Sequence, residues 1–557
     1  MPELRYQKLY RNLIAVVITI FLIVKIYGKD HFIFPKNLLL KKWEKISKRK
    51  GKLCYKISYR LLSSYEKMWV ELEEIKDIYE EQPYEVYCRL KKLDVSHCNE
   101  EMEDTYNQLL AASLYGMGAY SEAKGLLEKM LQKHPDNPGT LVMVCVVYDR
   151  TGKNCEAMQI AEDTYQKMIS GRLKVDLNLS AQIYHNYACF LICGHHINKG
   201  LDVAREAADY ALQQKNLRVI HFVVRDYLRL LMQYSKNDSK IPQYWEKYQE
   251  AVGESCDTCI PYINTKLYLL QMNYPTGDIG QYLTYVYDLN KEHLFGEGKC
   301  FLCLSCMNVA FSHSKNIDFF LKEIVELMKK ESQYLEPMKR LRFYNGLTTV
   351  AENYSVQCNR NAFPKSEYYD EFLELYLSYT NTEKENEIKK MLDETESIWI
   401  HQKCELREML IDIQRKKEYN FDNIYEQLLQ IYKECELGQD VRAMLDIDMN
   451  IIEECERIEN LEDVNLPPQY MRSGKKDVLL RHLQDAQRLL DLMNYDATRV
   501  EYAIRMSKGY VFAGKMKEAK EQLKIFEDAK IPETYLLEWE RGNYMVLQSI
   551  LQEETAR

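Results

Sequence analysis

Glycine and proline are scarce in this 557-residue chain: 21 and 13 residues, about 6% together against a usual ~12%. That shortage excludes collagen-like, linker-dominated and turn-rich all-β architectures. The motifs of common chemistries are missing too. There is no GxxxxGK(S/T) or GxGxxG phosphate cradle, no GxSxG elbow, no HExxH helix and no kinase HRD set. Isolated acidic pairs such as Glu453-Glu454 read as solvated helix faces. No long excess of basic charge covers the chain either. A formal net charge of −9 argues against a general nucleic-acid binder, so no nucleic-acid partner is expected. What is present is apolar: 46% hydrophobic residues and 43 tyrosines, which excludes wholesale disorder.

The charge is unevenly placed. Residues 1–60 hold 15 Lys+Arg against 3 Asp+Glu, a balance of +12, and the remaining chain holds 60 against 81, a balance of −21. Inside the basic head, Leu13 to Val24 reads LIAVVITIFLIV without a charge. Counted from Asn12 to Gly28 the stretch has 17 residues, about 26 Å of helix at ~1.5 Å per residue. That is short for a ~30 Å hydrocarbon core, but Lys25 can snorkel and Tyr27 suits the interface. Three readings compete. A cleaved signal would need a small-x-small site, and only Gly28 is small there, with Ile26 two before it. A buried core helix is disfavoured because the run is apolar on all faces. An uncleaved membrane anchor over residues 12–28 is the preferred reading. More Lys and Arg follow the run than precede it, which predicts a cytoplasmic body. Downstream, Lys41, Lys42, Lys45, Lys48, Arg49, Lys50 and Lys52 form a membrane-proximal basic group, and the stretch 36–60 would lie against anionic lipid. The plainer reading of that cluster is a topology signal.

Sixteen cysteines are scattered along the chain. Such unpatterned thiols fit a reducing compartment better than an exported protein. Two groups could make a thiolate cage for zinc: Cys256-x-x-Cys259, between Gly253 and Pro261, and Cys300-x-x-Cys303-x-x-Cys306. The stretch between them runs from Ile260 to Lys299, well beyond the roughly 15–20 residues of common zinc modules. The second group also falls at i, i+3 and i+6 of an apolar helix, where cysteines serve as small hydrophobes. Core packing is therefore preferred over metal. His195-His196 reads as a surface turn. No catalytic residue, cofactor or metal ligand is assigned.

A period of about 34 residues runs through the first part of the body. Gly118, Glu122 and Ala123 recur as Gly152, Glu156 and Ala157, and Leu110 and Leu114 recur as Val144 and Tyr148. Counted from Asp104, small residues fall at Ala111 and Ala123, with Pro135 closing the unit. From Pro138 they fall at Cys145, Ala157 and Ala161, with Ile169 where proline belongs. After a nine-residue offset, from Ala181, they fall at Ala188, Gly200, Ala204 and Ala207. A weaker copy near the C-terminus has Ser507, Tyr510, Gly514 and Ala519, with Phe526 in place of a small residue and Pro532 one position late. Small residues recur where two helices cross closely.

These residues resemble the tetratricopeptide repeat family, clearly over 104–214 and more weakly near 500–533. The resemblance implies an all-α, tetratricopeptide-like solenoid of helical hairpins, here with an N-terminal transmembrane helix. It implies a scaffold that binds extended peptides or helices in a groove lined by first helices. Carried over position by position, the groove would use Gln108, Ala112 and Tyr115, then Val142, Val146 and Asp149, then His185, Cys189 and Ile192. Gln108 and Ala112 stand where a carboxylate-gripping member would carry Lys and Asn. The expected ligand is thus an apolar peptide or helix of a protein partner.

The expected organisation is a short flank (1–11), an anchor (12–28), a basic juxtamembrane segment (29–60), leading helices (61–103), tetratricopeptide repeats (104–214), diverged helical repeats (215–466) and C-terminal repeats (469–557). Pro467-Pro468 is the best internal boundary, and a separate all-α domain is the alternative for the middle segment. The expected function is a membrane-anchored, non-catalytic scaffold. The alternatives are an extracytoplasmic solenoid in envelope or secretion assembly, and a zinc metalloprotein centred on Cys256–Cys306.

Overall fold

A computed structural model describes residues 64–76, 83–95, 98–194, 196–214, 216–235, 238–253, 259–271, 279–291, 294, 296–359, 366–393, 400–458, 475–494, 496–531 and 538–556. Among them there is no strand. The chain divides into two compact units, Met1–Met143 and Val144–Arg557.

The described part of the first unit holds α1 (Ser64–Lys76), α2 (Pro83–Lys91), α3 (Glu100–Gly116), α4 (Tyr120–Lys133) and the start of α5 (Pro138–Arg150). The second unit takes up the rest of α5 and continues with α6 (Asn154–Ile169), α7 (Leu177–Cys193), α8 (Ile197–Gln214), α9 (Leu217–Tyr234), α10 (Lys240–Val252), α11 (Ile260–Gln271) and α12 (Ile279–Lys291). Then come α13 (Glu297–His313), α14 (Ile317–Lys330), α15 (Pro337–Asn359), α16 (Tyr369–Ser378), a π turn (Tyr379–Glu383), α17 (Lys384–Asp393) and α18 (Ile400–Lys417). The last are α19 (Phe421–Gly438), α20 (Val441–Ile458), α21 (Lys476–Met493), α22 (Asp496–Phe512), α23 (Met516–Asp528) and α24 (Glu538–Ala556).

Local signals set these boundaries. Pro83, Pro138 and Pro337 each open a helix, where the missing amide hydrogen costs nothing. Asn99, Asp176 and Asn420 cap helix starts, accepting the amides of Met102, Leu179 and Asn423 at 2.9, 2.8 and 3.1 Å. The repeat glycines end helices in the left-handed region: Gly118, Gly152 and Gly514 have φ of 74, 78 and 71°. After each, an amide reaches back five residues, Ala119 to Leu114, Lys153 to Tyr148 and Lys515 to Tyr510, at 2.8–2.9 Å. The same closure recurs where the period had faded. Lys315 reaches Ala310 past Ser314 (φ 52°), and Asp440 reaches Cys435 past Gln439 (φ 55°).

The hairpins close on small residues as the repeat spacing predicts. Ala111, Ala123, Ala157 and Ala519 have no exposed surface. A Cβ on Gly200 would stand 2.6 Å from Ile192 and 3.0 Å from the Ala188 carbonyl. Tyrosines bridge helices through acidic partners: Tyr187 to Glu162 at 2.8 Å, and Tyr165 to Glu206 and Tyr244 to Asp209 at 2.6 Å. The chain is built as a tetratricopeptide-like stack of helical hairpins.

One expectation needs correction. The localisation expected from the apolar run was a single-pass membrane protein with a cytoplasmic body. Among the described residues no helix is long and apolar enough to cross a membrane. Segment 12–28, the basic group Lys41, Lys42, Lys45, Lys48, Arg49, Lys50 and Lys52, and Pro467-Pro468 all lie outside the described residues.

Candidate protein-binding groove

In the second unit, successive hairpins pack first helix on first helix: α7 on α9, α9 on α11, α11 on α13 and α13 on α15. A layer of first helices results. Within it a cleft of about 360 Å³ opens between α11 and α13. Leu267 and Leu302 form a buried floor with Leu294 and Phe301 beside them. Polar groups stand in two rows around it. Asn264, Tyr268 and Gln271 lie at i, i+4 and i+7 on α11, and Ser305 and Asn308 lie at i and i+3 on α13. Asn264 and Gln271 are exposed and Asn308 is half-buried, so their carboxamides face the opening with donors and acceptors to offer. Burial pushes the Tyr268 hydroxyl up, against the pull of the exposed Arg229 guanidinium on α9.

Beside this cleft, α7 and α9 hold a charged cluster. Asp226 receives the Arg225 guanidinium at 3.2 Å on one oxygen and His185 Nδ1 at 3.2 Å on the other. Cys189 Sγ is 3.6 Å from His185 Nε2 and 3.9 Å from Nδ1. A Cys, a His and an Asp in contact invite a nucleophile–base–orienter reading. The environment opposes it. Burial pushes the Cys189 thiol up to about 12. Burial also lowers His185, with Arg229 and Arg225 adding to the fall and Asp226 resisting it.

The second unit also folds back on itself. The turn between α5 and α6 meets the start of α20. Arg150 lies 3.4 Å from Asp440, and a Cβ on Gly152 would stand 3.1 Å from Val441. Cys155 Sγ donates to the Asn494 carbonyl at 2.7 Å. Burial raises the Asp149 carboxyl, opposed by Arg442, Arg150 and the Asn154 amide. Burial works against the charge on Arg442, but Glu501 at 2.8 Å, with Tyr502, Asp149 and Asp446, outweighs it and holds the guanidinium above its ordinary value.

The nine residues expected to line a groove are placed as follows. Gln108, Ala112, Tyr115 and Val142 are half-buried in the first unit, where Gln108 donates to Asn137 at 3.0 Å. Val146, Asp149, His185 and Cys189 are half-buried in the second unit, and His185 meets Cys189. Ile192 is buried against Gly200 inside its own hairpin. The cleft residues on α11 and α13 went unforeseen. Their signal in the sequence was weak: Asn264, Tyr268 and Gln271 fall at i, i+4 and i+7 of IPYINTKLYLLQ, but Thr265 and Lys266 interrupt the pattern. The contact of the α5–α6 turn with α20 and the end of α21 had no such signal. Its two sides are remote in the chain, Cys155 and Asn494 being 339 residues apart.

Cys300, Cys303 and Cys306 are fully buried in one apolar core, and burial raises the Cys303 and Cys306 thiols. Cys256 and His195 lie outside the described residues. Among the described residues no group of three or more His, Cys, Asp or Glu is placed to hold a metal.

No family model and no curated protein matches the chain. Among solved structures it is similar to the crystal structure of yeast Tom70, at 11% identity, covering 88% of this chain and 96% of that one, with a TM-score of 0.37. It is similar to the APC/C hetero-tetramer Cut9–Hcn1, at 10% identity over 89% and 97%, TM-score 0.29. It is also similar to Naa15/Naa10 bound to HypK-THB, at 12% identity over 77% and 64%, TM-score 0.23. At such scores these likenesses add nothing to the hairpin geometry itself.

Proposed function

We propose that the chain is a non-catalytic scaffold that holds an apolar segment of a protein partner against its layer of first helices. The observation that carries this reading is the α11–α13 cleft. Its leucine and phenylalanine floor offers apolar area for one or two partner side chains. Its carboxamide rim can bond a partner's main chain without imposing a charge. His185 and Cys189 on α7 belong to the same layer in this reading, and Val146 and Asp149 on α5, with Gln108, Ala112, Tyr115 and Val142 in the first unit, are proposed as further contact positions. The thiol and imidazole on α7 fit a contact surface better than a reaction, because burial holds Cys189 protonated.

A photo-crosslinking residue at Asn308 tests this, with a second at Tyr285, which is 52% exposed on α12 away from the cleft lining, as control. A discrete protein adduct at Asn308, absent at Tyr285 and abolished by Leu267→Arg in a chain that keeps its helicity, is the expected result. Equal adducts at both positions, or persistence in Leu267→Arg, would overturn the reading.

A further inference from the structure

The scaffold leaves one sequence motif unused, the CxxC of residues 256–259. Its described member, Cys259, is not isolated. It stands directly before α11, and its carbonyl accepts the Ile263 amide at 2.9 Å, so it sits at the helix N-terminus, an end that favours negative charge. Its Sγ lies 3.4 Å from Nε2 of His221 on α9. The other ring nitrogen, Nδ1, lies 2.7 Å from the hydroxyl of Tyr248 on α10. Tyr248 is wholly buried and meets the imidazole edge-on, with ring centres 5.7 Å apart. Three helices thus fix the ring by one nitrogen and present the other to the sulfur. That is the arrangement of a nucleophile, its base and the group that orients the base. Cys259 and His221 are both half-buried, within reach of a small reagent. Burial, helped by Arg225, lowers His221, so the imidazole is neutral at neutral pH; in the tautomer whose Nδ1–H donates to the Tyr248 oxygen, Nε2 is the acceptor that faces the thiol.

Among the described residues, other accessible thiols such as Cys155, Cys193 and Cys189 lack this setting. Cys155 donates to a backbone carbonyl, and burial raises it. Burial raises Cys193 as well. Cys189 has a histidine, but its sulfur lies nearly as close to one ring nitrogen as to the other, and Nδ1 is engaged by Asp226.

We propose that Cys259 is a modification site, a thiol that His221 deprotonates as it attacks a small hydroperoxide. The sulfur forms a bond to one peroxide oxygen and the O–O bond breaks. Sulfur loses two electrons and becomes a sulfenic acid, while the leaving oxygen takes the thiol proton, passed through His221, and departs as water or an alcohol. Tyr248 is a positioning residue that holds the imidazole in line.

The test uses the full-length chain carrying Cys256→Ser, so that the signal in the shared peptide belongs to Cys259. Hydrogen peroxide is added at pH 7.5, sulfenic acid is trapped with dimedone, and each cysteine peptide is followed by mass spectrometry. Cys259 is expected to react roughly 100-fold faster than Cys155, the lower end of what a positioned base contributes. His221→Gln should bring it to the Cys155 rate while Cys300 and Cys303 stay unlabelled, which reports an intact core. A Cys259 rate no faster than that of Cys155 overturns the proposal. So does an unchanged rate in His221→Gln with Cys300 protected. If His221→Gln exposes Cys300, Tyr248→Phe takes its place: a slower Cys259 with Cys300 protected supports the proposal, and an unchanged rate overturns it.

Discussion

The second unit has two apolar cores that solve the same packing problem with different means. The first, gathered around α11–α18, is built of Phe320, Phe343, Phe372, leucines and three buried thiols. Its buried polar groups mostly turn back on their own helices. Thr265 donates to the Pro261 carbonyl at 2.8 Å, Asn290 to Val286 at 2.9 Å and Ser332 to Met328 at 2.8 Å. Lys384, which reaches Asn345 at 2.7 Å, and Ser366, which accepts the Tyr368 amide at 3.2 Å, depart from this pattern. The second core, around α18–α24, sends charge across helix boundaries. Asp448 on α20 meets His482 on α21 at 2.7 Å, Glu454 meets Arg415 on α18 at 2.5 Å, and Glu456 meets Lys508 on α22 at 2.9 Å. The first core orders its helices mainly by shape, with one Arg340–Glu387 pair joining α15 to α17 at its edge. The second adds a charge register, and a charge register depends on protonation.

The largest effects test that distinction. Phe320→Ala in the first core and His482→Ala in the second should each cost about 3–5 kcal/mol, one through a cavity and the other through an unpaired buried carboxylate. The two should part with pH in chemical denaturation. The Phe320→Ala loss stays constant. The His482→Ala loss is greatest at pH 8 and shrinks toward pH 5, because burial already raises Asp448 and a lone carboxyl can take up a proton. Equal pH profiles would erase the contrast.

A smaller effect comes from Glu456. Burial raises its carboxyl to about 7, against Lys508 and Arg505 with Glu453 adding to the rise. Its folded value thus exceeds the ordinary unfolded one near ~4.5, so the native chain binds more protons between them. Stability contributed by Glu456 is full below about pH 4.5 and falls as pH rises to about 7, by on the order of 3 kcal/mol. Glu456→Gln should flatten that slope in urea melts at pH 5, 6, 7 and 8, and an unchanged slope would remove Glu456 as its source.

The sequence made the first hairpins legible because their turns hold glycine and their crossings hold alanine, which a ruler of fixed period can find. It made the charge register illegible. Asp448, Glu454 and Glu456 look like any solvated acidic helix face until α18, α21 and α22 cover them, and each partner sits on one of those other helices, beyond the reach of any local pattern. The groove stands between these cases. Its first-helix layer followed from the repeat, but position-by-position transfer put Ile192 on the surface, while the narrow crossing at Gly200 draws it inward. The α11–α13 cleft fell where no repeat could be recognised, so no transfer reached it.

That gap has a local cause, and it yields the smallest prediction. The α13–α14 and α19–α20 hairpins, one from each core, close with the same five-residue reach as the glycine hairpins, yet Ser314 and Gln439 occupy the left-handed position. A residue with a Cβ pays about 1–2 kcal/mol there. Glycine regains part of that and gives some back through the freer unfolded chain. Ser314→Gly and Gln439→Gly should therefore each stabilise the chain by no more than about 1 kcal/mol, and Gly514→Ala should destabilise it by about 1–2 kcal/mol. Thermal melts at fixed pH read all three. Because the strain belongs to the backbone and not to either core, the two gains should be equal and independent of pH. A pH-dependent gain at Gln439, next to Asp440 and its Arg150 partner, would mean that the charge register reaches into the turn itself.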